Sequence, residues 1–187
     1  MKKLFVLIAA LAMTISLSAC GGDGGSAKPD ADTTALASSE IELVRKEGNY
    51  TSLLVPSDFG EFYDKDGYAV AEGPNSSIVI TPTTETDTDV DDINEEYMVE
   101  ALSDVYSNIK VLAFDNPANI AGVDSVCFLF TGDSDSTGQN NTICQIIMFF
   151  SIDGVNCEQH IAFTYNTSEN TSLEASLAEI LPSISLG

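Results

Sequence analysis

The sequence predicts an α+β fold: an antiparallel β-sheet with helices packed on it, spanning residues 40–187 as one domain. Three observations carry this. Short runs of β-branched and aromatic residues alternate with turn residues, two segments have helical period and begin at capping boxes, and four strand-like runs follow one another between those helices.

Taken in order, Tyr50 to Val55, Gly67 to Ala71 and Ser77 to Thr81 read as strands, the last with an Ile78-Val79-Ile80 centre. Asp92-Ile93-Asn94-Glu95 fits a capping box, in which a carboxylate accepts from a free backbone amide and Glu95 reaches back. Beyond it Ile93, Tyr97, Ala101 and Val105 recur every four residues beside Met98 and Leu102, predicting a helix that runs to about Asn108. Ile109 to Phe114, Ser125 to Thr131, Thr142 to Ser151 and Asn156 to Thr164 are four successive strands. Asp153-Gly154 suits the two-residue turn between the last pair, because both of its positions need positive φ. That turn sets Phe150 opposite Cys157, Met148 opposite Gln159, Ile146 opposite Ile161 and Cys144 opposite Phe163. The other face then holds Gln145, Glu158 and His160 among Ile143, Ile147, Phe149 and Ala162, so both faces of this hairpin are expected to be covered. Thr171-Ser172-Leu173-Glu174 is a second capping box, opening a helix with Leu173, Leu177, Ile180 and Leu181 on one side and Pro182 at its end.

This order, with Val55-Pro56-Ser57-Asp58-Phe59 after an early strand and Ser183-Ile184-Ser185 after the last helix, resembles the PsbP-like (Mog1/PsbP) domains of some bacterial lipoproteins. The resemblance would span about Tyr50 to Leu186 and implies an α/β/α sandwich. It also implies an accessory or assembly role, and it carries over no functional residue.

The N-terminus is read separately. Met1-Lys2-Lys3 followed by the apolar stretch Leu4 to Leu17 is a signal peptide, too short for a membrane span, assigned to residues 1–19. Leu17-Ser18-Ala19-Cys20 resembles the lipobox of bacterial lipoproteins, in which small residues admit a peptidase and the cysteine thiol accepts diacylglycerol. The expectation is a chain held by lipid on Cys20 at the extracytoplasmic face of the cell membrane. Two or more acyl chains suffice for that, at about 0.8 kcal/mol per buried methylene. Residues 20–39, the lipidated cysteine and a Gly-, Ser- and Asp-rich stretch, read as a tether with a reach of about 25 Å.

Formal net charge is −22, and cleavage before Cys20 would remove Lys2 and Lys3 and no acid, leaving 5 basic residues against 29 acidic. Such a surface repels nucleic acid and an anionic bilayer alike, so membrane contact is assigned to the lipid. The anchor, the tether and the lack of catalytic groups lead to the expectation of a protein partner in the envelope. With Cys20 used for lipid, Cys127, Cys144 and Cys157 remain, an odd number. Cys127 and Cys144 form the candidate disulfide, and three free thiols are the equal alternative because register decides between them. A zinc site is not expected: there is no CxxC, and His160 is the only histidine. Asp87, Asp89 and Asp91, and Asp133, Asp135, Thr137 and Gly138, approach calcium-loop spacing without completing it, since Met98 and Cys144 occupy the twelfth positions. His160 sits mid-strand without a serine elbow, and no glycine-rich phosphate loop joins a strand to a helix. No enzyme, metal or cofactor is therefore expected. The alternative to a protein-interaction module is a ligand-binding lipoprotein with a pocket between sheet and helices.

Overall fold

A computed structural model describes residues 41–187. The expected signal peptide over residues 1–19, Cys20 and the expected tether to residue 39 lie outside the described residues. Among the described residues eleven strands and two α-helices follow in the order β1 (Leu43–Gly48), β2 (Thr51–Pro56), β3 (Tyr63–Lys65), β4 (Tyr68–Gly73), β5 (Ser76–Ile80), β6 (Thr84–Glu85), α1 (Glu95–Leu102), β7 (Tyr106–Ile120), β8 (Val123–Ser134), β9 (Asn140–Ile152), β10 (Val155–Asn166), α2 (Ser172–Ile180) and β11 (Ser185–Leu186). The large sheet runs β3-β4-β5-β10-β9-β8-β7, with β6 beside β10 beyond the end of β5; a small sheet runs β1-β2-β11. All pairings are antiparallel. This is the expected α+β architecture, with cover on both faces of the large sheet.

Local chemistry sets the hairpins. Asp66-Gly67, Ala121-Gly122 and Asp153-Gly154 each put two consecutive residues at positive φ, which is what a two-residue type I′ turn requires and what its match to strand twist favours. The turn at Asp153-Gly154 fixes the β9–β10 register as read from sequence: Phe150 opposite Cys157, Met148 opposite Gln159, Ile146 opposite Ile161 and Cys144 opposite Phe163. Alternation then sorts β9 and β10 between two cores. Cys144, Ile146, Met148, Ile161 and Phe163 join Leu53 and Val55 of β2 and Leu173 and Ile180 of α2. Ile143 and Ile147 join Val126, Phe128 and Phe130 of β8 beneath Met98 and Leu102 of α1.

The second helix forms as its capping box predicts: Thr171 Oγ1 accepts from the Glu174 amide at 3.1 Å. The first departs from expectation. Its cap is Asn94, whose side chain accepts from the Tyr97 amide at 2.9 Å, and Asp92 instead ends a 3-10 turn over Val90–Asp92. The helix stops at Leu102 rather than running to Asn108. Val105 and Tyr106 keep the four-residue spacing of apolar groups, but Tyr106 pairs with Ser134 and starts a strand of 15 residues. Strand pairing therefore overrides helical period here, and β7 begins before the expected Ile109. Three register shifts interrupt β7, which forms the edge of the large sheet. Such bulges, with Pro117, protect an edge from pairing with other chains. Asn116 in β7 donates to the carbonyls of Val90 (2.8 Å) and Ile93 (2.5 Å), clamping the turn that leads into α1.

The two phrases behind the PsbP-like resemblance have packing roles. Phe59 is buried, Asp58 accepts from the Ser172 hydroxyl at 2.9 Å, and Lys46 donates to the carbonyls of Phe59 and Gly60 at 3.0 Å. Ser183 Oγ accepts from the Leu54 amide at 2.8 Å, and Arg45 reaches the Ser183 carbonyl at 3.1 Å. Together they hold the small sheet and α2 against one face of the large sheet.

Gly73 tests this packing. A Cβ there would lie 2.3 Å from Cε2 of the Phe59 ring, so the ring would have to move. Gly73→Ala should destabilise by about 1–3 kcal/mol in urea unfolding, the usual range for overpacking. Phe59→Leu in the same chain should make the alanine less costly than it is alone, and strict additivity would argue against the contact.

Candidate functional site

At the centre of the large sheet β10 carries three consecutive polar residues, Glu158, Gln159 and His160, and all three are buried. Buried polar groups persist in a central strand only when they are hydrogen-bonded. Gln159 points toward β2, where Thr51 Oγ1 donates to its Oε1, and its own amide donates to the Thr81 carbonyl at 2.9 Å. Glu158 and His160 point to the α1 side. Glu158 Oε1 lies 3.3 Å from His160 Nε2, and Gln145 Nε2 lies 3.4 Å from His160 Nδ1. The Gln145 side-chain amide and the Glu158 carboxylate each meet one ring nitrogen of His160. Both ring nitrogens thus face partners within the fold.

The segment after β5 completes the arrangement. Thr81 exchanges two hydrogen bonds with the His160 backbone: its amide donates to the His160 carbonyl at 3.0 Å, and its hydroxyl accepts from the His160 amide at 2.9 Å. Thr86 Oγ1 donates to Glu158 Oε2 at 2.8 Å and accepts from the Thr88 amide at 3.1 Å. Burial tends to raise the Glu158 carboxyl. The His160 hydrogen bond, the positive charge of a protonated imidazole and the Thr86 hydroxyl outweigh it, holding the group below the ordinary glutamate value. On the facing helix, burial and then the charges of Glu158 and Glu100 push the Tyr97 phenol upward.

Glu158 thus tethers the 81–92 segment, and that segment forms one wall of a recess of about 350 Å³. Thr86 and Asp89 line this wall, with Asp124 of β8, Phe149 of β9, and Asn156 and Cys157 of β10 around the rest. The volume falls at the small end of ligand sites. Its lining pairs an aromatic surface with carboxylates and amide groups, a composition suited to a polar or cationic group.

The other residues singled out by sequence fall as follows. Asp89 serves as a cap, accepting from the Asp91 amide at 3.1 Å. The Asp133 carboxylate accepts from the Asn108 and Asn140 amides, both at 2.7 Å, and these bonds hold its carboxyl below the usual range. Among the described residues no three His, Cys, Asp or Glu side chains converge as a metal site. Cys127, Cys144 and Cys157 are free thiols, with the Cys127 and Cys144 sulfurs 4.0 Å apart. Thr81 ends the strand expected over Ser77 to Thr81, with nothing in the residues to mark its hydroxyl, and Thr86 lies in an aperiodic Thr- and Asp-rich stretch where the only signal is composition.

No family model matches the chain, and no curated protein matches it in sequence. Solved structures do. LpqN of Mycobacterium tuberculosis, described as involved in cell envelope biogenesis, aligns with 79% of this chain and 91% of its own at 14% identity and a TM-score of 0.54. The chain shares that fold. A protein of unknown function from Pseudomonas aeruginosa, PA94, aligns with 73% of this chain and 92% of its own at 14% identity and a TM-score of 0.46. The Ran-binding protein Mog1p of Saccharomyces cerevisiae aligns with 74% of this chain and 84% of its own at 15% identity and a TM-score of 0.45.

The lowered carboxyl of Glu158 has a stability signature. A carboxyl depressed in the folded state stabilises above its unfolded value, near 4.5, and that contribution is lost as pH falls through the folded value. Glu158→Gln should therefore cost about 1–3 kcal/mol at pH 7. The gap between variant and native chain should narrow as unfolding is followed below pH 4.5, and a gap constant down to pH 3 would contradict this account.

Proposed function

We propose that this chain is a lipid-anchored accessory protein of the cell envelope, acting at the extracytoplasmic face by binding another protein and not by catalysis. The observation that carries the reading is the lipobox-like Leu17-Ser18-Ala19-Cys20 at the end of a signal-like stretch and before a Gly-rich tether. Among the described residues no helix is long and apolar enough to cross a membrane. The envelope role described for LpqN, whose fold the domain shares, is in keeping with this address. A non-catalytic role is supported by His160, whose ring nitrogens face Glu158 and Gln145. The recess walled by Thr86 and Asp89 is the contact surface this reading favours, with a basic or amide-bearing side chain of the partner as its occupant.

A second reading, a lipoprotein that binds a small ligand, is favoured by one observation, the size of that recess. The two differ in what a charge reversal at its rim removes.

Feeding cells an alkyne fatty acid should label the native protein and leave Cys20→Ala unlabelled and released from membranes. Unchanged labelling of that variant would remove the anchor from the proposal. Crosslinking on intact cells should recover one partner in fixed ratio, lost in Asp124→Arg. Loss of a saturable small-molecule binding heat in Asp124→Arg, with no partner recovered from the native chain, would favour the second reading.

A further inference from the structure

We infer that Cys127 and Cys144 are a reversible dithiol–disulfide pair, with Cys127 as the thiol open to exchange and Cys144 as the one that resolves it. The two sit on neighbouring strands. The β8–β9 register places Cys127 opposite Ile146 and Cys144 opposite Leu129, so the cysteines are diagonal neighbours rather than directly opposed. Alternation turns both toward the core beneath α2. Sheet twist brings one diagonal of an antiparallel pair closer than the other, and the sulfurs meet at 4.0 Å. A disulfide bond is about 2.05 Å long, so closure requires the two sulfurs to approach by about 2 Å through side-chain rotation.

Exposure divides the roles. Cys144 is 2% exposed, whereas Cys127 is half-buried, on the strand next to the sheet edge. The hydrogen bond with Cys144 lowers the Cys127 thiol below its usual range, against burial and the nearby Asp115 carboxylate, while that same bond and burial raise Cys144 well above it. The thiolate is the nucleophile in exchange. Cys127 Sγ, having lost its proton to solvent, attacks one sulfur of a small external disulfide. A mixed disulfide forms and one thiolate leaves. Cys144 then gives up its proton and attacks Cys127 Sγ, expelling the second thiolate. Two thiols of the protein are oxidised, and one external disulfide is reduced to two thiols. Cys157 takes no part: it lies two strands from Cys127, opposite Phe150 of β9.

Exposed disulfides are the more readily reduced ones, and Cys127 is only half-buried. The pair therefore suits reversible cycling. Its oxidised form rests on the envelope location proposed above, where disulfides persist. The chemistry between the two sulfurs does not.

The full chain, purified from membranes in detergent under reducing conditions, is treated with glutathione disulfide, alkylated and mapped by mass spectrometry. Expected are a Cys127–Cys144 linked peptide lacking two hydrogens, alkylated Cys157, and return of both thiols with dithiothreitol. Cys144→Ser should trap one glutathione on Cys127, and Cys127→Ser should leave Cys144 unmodified. A chain that stays fully alkylated, a persistent glutathione adduct on native Cys127, or a link through Cys157 would each overturn the pairing. Cys20 is read in the same maps. An acylated Cys20 or an alkylated one reports on the anchor independently, so failure of either idea is told apart from failure of the other.

Discussion

The structure depends on how its central strand satisfies polar groups where little water reaches. β10 lies between β5 and β9 with cores on both faces, yet it carries Glu158-Gln159-His160 in its middle. Leaving any of these without a partner would cost about 1–3 kcal/mol, and more for the carboxylate. Their partners come from elements far apart in sequence: Thr51 of β2, Thr81 and Thr86 after β5, and Gln145 of β9. One strand therefore fixes the small sheet, the course of the 81–92 segment and the approach to α1 at once. Pure apolar packing would have held the layers together without specifying that course.

Structure and candidate site are joined through the same bonds. The Thr86 hydroxyl both satisfies Glu158 and forms part of the recess wall, and Asp89 on that wall caps the turn leading to α1. Asn116 of β7 holds the same turn through the carbonyls of Val90 and Ile93. The recess is thus framed by a loop gripped at two points. Such a loop loses little further freedom when a partner docks, which favours binding through reduced ordering cost.

Much of this was legible in the residues, and what was not has physical causes. Asp153-Gly154 specified a hairpin register because a two-residue turn leaves the chain no freedom to slip. Thr171-Ser172-Leu173-Glu174 specified a helix start because the cap is a local hydrogen bond. The end of α1 was misread because Val105 continues a helical spacing while Tyr106 pairs with Ser134, a contact that sequence spacing does not encode. Leu43–Gly48 was not read as a strand: Val44, Lys46 and Gly48 pair with β2, but only Lys46 and Gly48 are buried, so no apolar alternation marks it. His160 with Glu158 and Gln145 on one face was legible from alternation. Thr81 and Thr86 were not, because their role depends on where an aperiodic segment crosses the sheet.

Native-state hydrogen exchange tests the central role of β10 most directly. The account predicts that the amides of Gln159 to Phe163 exchange only through global unfolding and those of Thr86 to Asp92 through local opening. Glu158→Gln should speed exchange in the Thr86 to Asp92 segment well before it affects β7. Exchange of the β10 amides ahead of those in the edge strand β7, or a uniform response to Glu158→Gln across the sheet, would contradict it.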